Sequence, residues 1–199
     1  MGLQARCIGI LNESIRSEGN AHCGDGEVDF RGDTRLRWKF TELSSVESHE
    51  GRLILRRGED QFVLELGDVA AKWADAILNP KSRLDKLGVK PGQSVALIGE
   101  FEEEFMAELQ ARAAVIGDEP HDIVFVLVVA KQGLPALLEA RAKIKAAGMI
   151  WAVWPKGKPE LRDSDIRDFA LSNGLVDVKV VSFSSVLSGL KLVIPVKLR

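Results

Sequence analysis

The sequence predicts two domains. A mostly antiparallel β barrel closed by a C-terminal helix spans residues 1–79, and a three-layer α/β sheet with a closing β hairpin spans residues 80–199. Three observations carry this reading. The run from Ile123 to Ala130 is Ile-Val-Phe-Val-Leu-Val-Val-Ala, with no polar side chain in it. A strand facing water on one side would alternate, so both faces of this one are covered, as in the middle of a parallel sheet with helices above and below. Its shortness and β-branched content separate it from a buried helix. The second observation is the alternation of Leu36, Trp38 and Phe40 with Arg35, Arg37 and Lys39, which is the period of a strand with one buried and one solvated face. The third is the polar stretch Pro80–Gln93, with prolines near both ends, where strand after strand gives way to strands mixed with helices.

Composition narrows the function classes. Hydrophobic residues make up 46% and charged residues 28% of 199 residues, the mix of a soluble globular protein with room for two small cores. A net charge of −2 gives no overall basic field for nucleic acid. No apolar run approaches the roughly 20 residues of a membrane span, and the start lacks a secretory apolar core, so the expected location is cytoplasmic. Cys7 and Cys23 are too few for a disulfide framework. They are expected as reduced structural thiols, with a bridge across a first hairpin as the alternative. With His22 and His49 they match no zinc spacing.

In the first half, strands are expected at Ala5–Leu11, in two short pieces within Asn20–Phe30 around Gly24-Asp25-Gly26, at Arg35–Phe40, and at Arg52–Arg56 and Gln61–Leu66 joined as a hairpin. A helix follows from an Asp68 N-cap, with Val69, Trp73 and Ile77 on one stripe and Asn79-Pro80 ending it. Antiparallel strands capped by a final helix carrying Trp73 resemble a pleckstrin-homology-like barrel. The resemblance implies a possible phosphoinositide site of clustered cations on the first loop, making the chain a membrane-surface adaptor. That loop, about Asn12–Gly19, offers only Arg16 against Glu13 and Glu18, and multivalent phosphate binding needs several converging cations. The row Arg35, Arg37, Lys39 reads as a solvated outer face.

In the second half, strands are expected at Ser94–Ile98, Ala113–Ile116, Ile123–Ala130, Met149–Trp154, Val176–Phe183 and Leu190–Val196. Helices are expected at Glu102–Gln110, at Gly133–Ala147 with Gly148 as a left-handed cap, and from Asp163 or Ser164 to Ser172. Strands alternating with helices make a parallel, Rossmann-like sheet, and the closing hairpin resembles that of methyltransferases that use S-adenosylmethionine. Only Gly117 to His121 separate the second strand from the central one, where a parallel crossover needs about a dozen residues. Leu-Gly-Val-Lys-Pro-Gly at 87–92, Trp-Ala-Val-Trp-Pro-Lys at 151–156, Ser-Asp-Ile at 164–166, Gly-Leu-Val-Asp-Val-Lys-Val at 174–180 and Ser-Gly-Leu-Lys at 188–191 together resemble an uncharacterised bacterial family, a domain of unknown function, over residues 80–199. That family pattern often places Trp before the Ser-Gly, where this chain has Leu187. The resemblance brings no catalytic residue with it.

Ligands in this fold class sit at the carboxyl ends of the strands, against a glycine-rich turn. Here the turn is Gly99-Glu100-Phe101-Glu102-Glu103-Glu104, with one glycine. Its carboxylates would repel a pyrophosphate at the helix N-terminus, which excludes nicotinamide-type cofactors. S-adenosylmethionine carries no phosphate, and Asp118 stands about where such enzymes hold the ribose hydroxyls, or else belongs to a simple turn. Trp154-Pro155-Lys156-Gly157-Lys158 follows a strand at the same end. Trp154 can offer a stacking face, with Lys156 and Lys158 as charges for an anion, against a solvated loop with a packing Trp. His121 lies at the other end of the sheet, where a surface or capping role is expected, and no Ser-His-Asp arrangement emerges from three scattered histidines.

The sequence therefore points to non-enzymatic binding of a protein or small ligand by a degenerate Rossmann-like domain fused to the barrel. Gly99, Asp118, Trp154, Lys156 and Lys158 are the candidate contacts, and neither a metal nor a bound cofactor is expected. A divergent S-adenosylmethionine-dependent methyltransferase is the alternative.

Overall fold

The computed structural model describes residues 2–112, 114–117 and 120–199. The chain forms two compact units, Met1–Lys81 and Ser82–Arg199.

The first unit is a curled antiparallel half-barrel. Its strands are β1 (Leu3–Leu11), β2 (Ile15–Gly24), β3 (Glu27–Gly32), β4 (Arg35–Lys39), β5 (Ser45–His49), β6 (Arg52–Arg57) and β7 (Asp60–Glu65), in the order β4-β3-β2-β1-β7-β6-β5. The α1 helix (Ala70–Leu78) lies against β5 and β6. It buries Ala70, Trp73, Ala74 and Ile77; Trp73 and Ile77 lie on the expected stripe, whereas Val69, its third expected member, precedes the helix and is exposed. The inner face holds Phe30, Phe62, Leu53, Leu55, Leu64 and Trp38. Phe30 and Phe62 meet edge to face at 5.3 Å. Gly9 makes room for them, because a Cβ there would lie 2.7 Å from the Phe62 ring and 2.9 Å from that of Phe30.

Several expectations shift. Strand β5, Ser-Val-Glu-Ser-His, carries no apolar alternation and was invisible to pattern. It forms an edge, where backbone pairing with β6 suffices. The first turn is only three residues, so Arg16 and Glu18 stand on β2 and not in a loop. Asp68 does not cap α1: Val69 precedes the helix with no side-chain cap, and the chain enters through a 3₁₀ turn at Gly67–Val69. In the β1–β2 ladder Cys7 faces Gly19 and Cys23 faces Leu3. The two thiols are thus offset by four residues, about 13 Å along the strand, too far for a bridge. Both are free and buried, and burial pushes each thiol up to about 11, with Glu65 adding to the effect at Cys7.

The second unit is a mixed sheet in the order β12-β13-β11-β10-β8-β9. Its strands are β8 (Ser94–Ile98), β9 (Val115–Ile116), β10 (His121–Leu127), β11 (Ile144–Pro155), β12 (Val176–Ser182) and β13 (Leu187–Val193). Strands β9, β8, β10 and β11 run parallel, and β13 runs antiparallel to both β11 and β12. The helices are α2 (Arg83–Leu87), α3 (Glu103–Ala111), α4 (Ala136–Lys143) and α5 (Asp163–Ser172). One face of the sheet packs Val124, Val126, Ile150 and Ala152 against α4 and α5. The other packs Ile123, Phe125, Trp151 and Val153 against α2 and α3. Both faces of β10 are dry, as its unbroken apolar run requires.

Here too the elements differ from expectation. The stretch Pro80–Gln93 is not a plain linker, because α2 lies within it and buries Leu84, Leu87 and Val89 under the sheet. Helix α4 stops at Lys143. The segment from Ile144 joins β11 instead of extending the helix, and Gly148 lies inside that strand and not in a left-handed cap. Helix α5 is preceded by Arg162, whose backbone N–H donates to Asp165 at 2.9 Å. Ala113, the first residue of the expected second strand, falls outside the described residues. No helix among the described residues is long and apolar enough to cross a membrane.

Candidate functional site

The carboxyl ends of β8, β10 and β11 converge on one edge of the second sheet. Strand β8 runs into Gly99, whose φ of 99° lies in the glycine-favoured region. A Cβ at this position would stand 2.9 Å from Leu127 Cβ, so the glycine serves the close approach of two strand ends. Two residues on, Phe101 turns into the protein. Its ring lies 5.5 Å from Phe105, 6.3 Å from Phe125 and 6.0 Å from Phe183. Phe105 and Phe183 meet at 4.8 Å. The place where a glycine-rich turn would bare its backbone is filled by the chain's own aromatic cluster.

Arg83, at the start of α2, roofs this cluster. Its guanidinium stands 5.1 Å from the Phe105 ring centre and 5.2 Å from that of Phe183. It donates to both carboxylate oxygens of Glu108 at 2.9 and 3.0 Å, and it bonds Glu102 as well. A reciprocal clasp comes from Arg112, which donates to Asp85 at 2.7 Å, Ser82 Oγ at 3.1 Å and the Val89 carbonyl at 3.2 Å. The Arg112 guanidinium and the Ser82 hydroxyl hold the Asp85 carboxyl below the usual carboxylate range. At the C-terminal end of α2, the Leu87 carbonyl accepts from Trp151 Nε1 at 3.0 Å and the Lys86 carbonyl from Lys179 Nζ at 2.7 Å. These donors meet carbonyls that no helical amide can reach. The Leu-Gly-Val-Lys-Pro-Gly and Trp-Ala-Val-Trp motifs thus have an architectural use: the second docks the helix that the first terminates.

The other predicted residues are placed as follows. Trp154 is 6% exposed and packs in the core with Leu190 and Leu161. Lys156 Nζ donates to Ser182 Oγ and the Ser184 carbonyl, each at 2.7 Å, which ties the end of β11 to the β12–β13 turn. Lys158 is exposed on the following loop. Gly99 and the Lys156–Lys158 loop share the carboxyl edge, but β10 stands between their strands, so they are about 10 Å apart across the sheet. Asp118 lies outside the described residues.

Sequence reasoning missed a polar cluster at the amino end of the same strands. Ser94 Oγ lies 3.0 Å from Nδ1 of the buried His121. The Ser94 backbone N–H donates to Asp122 at 2.9 Å, and Lys145 Nζ donates to the other oxygen of Asp122 at 2.8 Å. Lys145, with the Ser94 amide, keeps the Asp122 carboxyl below its ordinary range. Asp122 thus orients the Ser94 amide and Lys145, and among the described residues its carboxylate makes no hydrogen bond to the His121 imidazole, so Ser94, His121 and Asp122 do not form a relay triad. Only the parallel register of β8 and β10 brings Ser94 to His121, and no spacing in the sequence announces it. Among the described residues, no three His, Cys, Asp or Glu gather as a metal site.

No known protein family and no curated protein matches this chain. Solved structures do resemble it in fold. A TehB-like SAM-dependent methyltransferase from Corynebacterium glutamicum is 12% identical, with 63% of this chain and 96% of that one covered and a TM-score of 0.44. A SAM-dependent methyltransferase from Aquifex aeolicus is 15% identical, with 58% and 89% covered and a TM-score of 0.42. The fibrillarin pre-rRNA processing protein of Methanococcus jannaschii is 13% identical, with 85% and 94% covered and a TM-score of 0.38. In the second unit antiparallel β13 lies between β11 and β12, at the side of the sheet away from β8 and β9.

Proposed function

We propose that residues 80–199 form a methyltransferase-like module that binds a protein or small ligand without catalysing methyl transfer. The pleckstrin-homology-like half, residues 1–79, serves as a second contact domain. The observation that carries this reading is Phe101. It stands three residues past β8, where a cofactor's methionine part would need bare backbone, and its ring is packed against Phe105, Phe125 and Phe183. Fold alone does not fix function, and this turn differs from a cofactor-binding turn in the residues that matter.

A second reading, a divergent S-adenosylmethionine-dependent methyltransferase, is supported by the strand order. The sheet has parallel β9-β8-β10-β11 continued by antiparallel β13 and then β12, and sheets with parallel strands take ligands at their carboxyl ends, so this reading expects its ligand at the end of β8. Calorimetric titration of the full chain with S-adenosylmethionine and S-adenosylhomocysteine decides between the two readings. The first expects no binding tighter than the millimolar range, about −4 kcal/mol. A micromolar constant that disappears in Asp118→Ala replaces it with the second.

A further inference from the structure

The second sheet is covered on both faces at its centre, but towards β12 the cover thins. Val178, Lys179 and Val180 are exposed there, and Lys191 on β13 is half-buried. Strand register fixes which side chains meet. Trp151 of β11 stands opposite Lys191, and Lys191 stands opposite Lys179 of β12. Residues directly opposite in an antiparallel pair share a face, with their Cβ atoms about 5 Å apart. Two lysines are thus set side by side on the face that α2 covers, an arrangement that costs stability because like charges directly opposite repel.

Among the described residues of β11, β12 and β13, no carboxylate shares this face. The other side chains on it are those of Met149, Trp151, Val153, Val176, Val181 and Val193. Asp177 is turned to the opposite face, where it pairs with Arg167 of α5. On α2, Arg83 is held by Glu102 and Glu108 and Asp85 is held by Arg112, and the remaining charged residue is Lys86. Lys179 has partners of its own: its Nζ donates to the Lys86 carbonyl at 2.7 Å and stands 5.6 Å from the Trp151 ring centre. Lys191 makes no hydrogen bond or ion pair among the described residues. Burial, and then the Lys179 charge, lower its amine below the usual lysine range. A half-buried amine beside a second cation keeps a larger neutral fraction, and the neutral amine is the nucleophile.

We propose that Lys191 captures carbon dioxide as a carbamate, with Lys179 as the positioning residue and counter-charge. The neutral Nζ attacks the carbon of carbon dioxide. One C–N bond forms, one C=O π pair moves onto oxygen, and the amine proton passes to water. The product is an anion beside Lys179, so a repelling pair becomes an attracting one. An ammonium has three donors, so Lys179 can keep the Lys86 carbonyl and still donate to a carbamate oxygen. Carbon dioxide is apolar and small enough to need no large cavity, which suits a site bounded by valines and an indole. Lys191 stands opposite Trp151, four residues before β11 ends at Pro155. The proposal therefore rests on neither reading of the carboxyl edge.

The test incubates the full chain with isotopically labelled bicarbonate at mildly alkaline pH, traps carbamates with a trialkyloxonium salt and locates the label by peptide mass mapping. Thermal unfolding checks the fold of each variant. The label is expected at Lys191 in the parent. It should be absent from that position in Lys191→Arg, which keeps the charge and the bulk without a nucleophilic amine. Lys179→Gln removes the neighbour that favours both the neutral amine and its anionic product, and labelling should fall about twofold to fivefold. Lys72→Gln, on the exposed side of α1, should leave it unchanged. No label at Lys191, label shared equally with exposed lysines such as Lys72, or full labelling of a folded Lys179→Gln overturns the proposal.

Discussion

The two sheets use their surfaces in opposite ways. In the second, β10 is covered on both faces, one by α4 and α5 and the other by α2 and α3. Only its strand ends can meet a ligand. In the first, one face of β1–β4 packs on Phe30 and Trp38 while the other stands in water with its charges in transverse rows. A sheet buried twice confines function to loops, which vary freely. A sheet buried once offers a whole face whose pattern is set by register. The comparison explains why the loops at the carboxyl edge of the second sheet hold few convergent groups, while the first sheet, read as a simple barrel wall, holds several.

The largest expected effect tests whether the two sheets are also two folding units. Phe62 and Phe105 are both fully buried and ringed by other aromatics, Phe62 by Phe30 and Trp38, and Phe105 by Phe101, Phe125 and Phe183. Truncating either leaves a cavity that its rigid neighbours cannot fill. A loss of about 3–5 kcal/mol is expected in each case. In scanning calorimetry Phe62→Ala should lower only the transition of residues 1–81, and Phe105→Ala only that of residues 82–199. A single transition lowered equally by both would mean one cooperative unit and would erase the distinction.

How much of this was legible follows from the same contrast. The period of Arg35–Lys39 and the apolar run at Ile123 are local facts, and they located two strands and their faces, although Phe40 falls in a 3₁₀ turn and Val129 lies exposed beyond the end of β10. The turn was readable as carrying a single glycine, Gly99, with Phe101 two residues on, but the residues that the Phe101 ring meets were not. Register is not local. Nothing in the sequence sets Arg6 in line with Arg31 and Arg35, or Ser94 beside His121, because each pairing depends on where a hairpin closes or a parallel strand docks. Short elements also escaped. Strand β5 has no apolar alternation, and α2 holds five residues inside a stretch whose prolines and charges look like a linker. Trp154 was misleading in another sense: its position after a strand fits a ligand platform, yet tertiary packing places the ring in the core.

A smaller effect probes the strap over the second sheet. The Trp151 ring is buried, and its Nε1 is a donor to the Leu87 carbonyl. In Trp151→Phe that carbonyl loses this partner, at an expected cost of about 1–3 kcal/mol. The loss should be visible locally before it is visible globally. The Lys86 and Val89 amides, which bond to Ser82 and Leu84 across α2, should exchange with solvent faster than in the parent. The amides of β1 and β2 should keep their rates. Equal acceleration in both units would contradict the architectural use assigned to the two tryptophan and glycine motifs.

The smallest effect separates the sheets by pH. Both cysteines lie in the first sheet and none in the second. Burial raises Cys7 and Cys23 from the usual 9.0 to about 11, with Glu65 contributing at Cys7. A thiol that is harder to ionise when folded favours the folded state as long as it stays protonated. That contribution is complete below pH 9 and is lost as pH rises from 9 towards 11, because the unfolded chain then releases protons that the folded chain retains. By pH 10 the loss is about 1 kcal/mol for each thiol. The chain has no tyrosine, so lysines supply most of the background in this window, and it can be subtracted. Denaturant unfolding from pH 8 to 10 should show a steeper alkaline decline for residues 1–81 than the Cys7→Ala, Cys23→Ala double variant shows. The transition of residues 82–199 should be the same in both proteins. An alkaline decline that survives removal of both thiols would place its cause among the lysines of residues 1–81 and would overturn the assignment to the buried inner face.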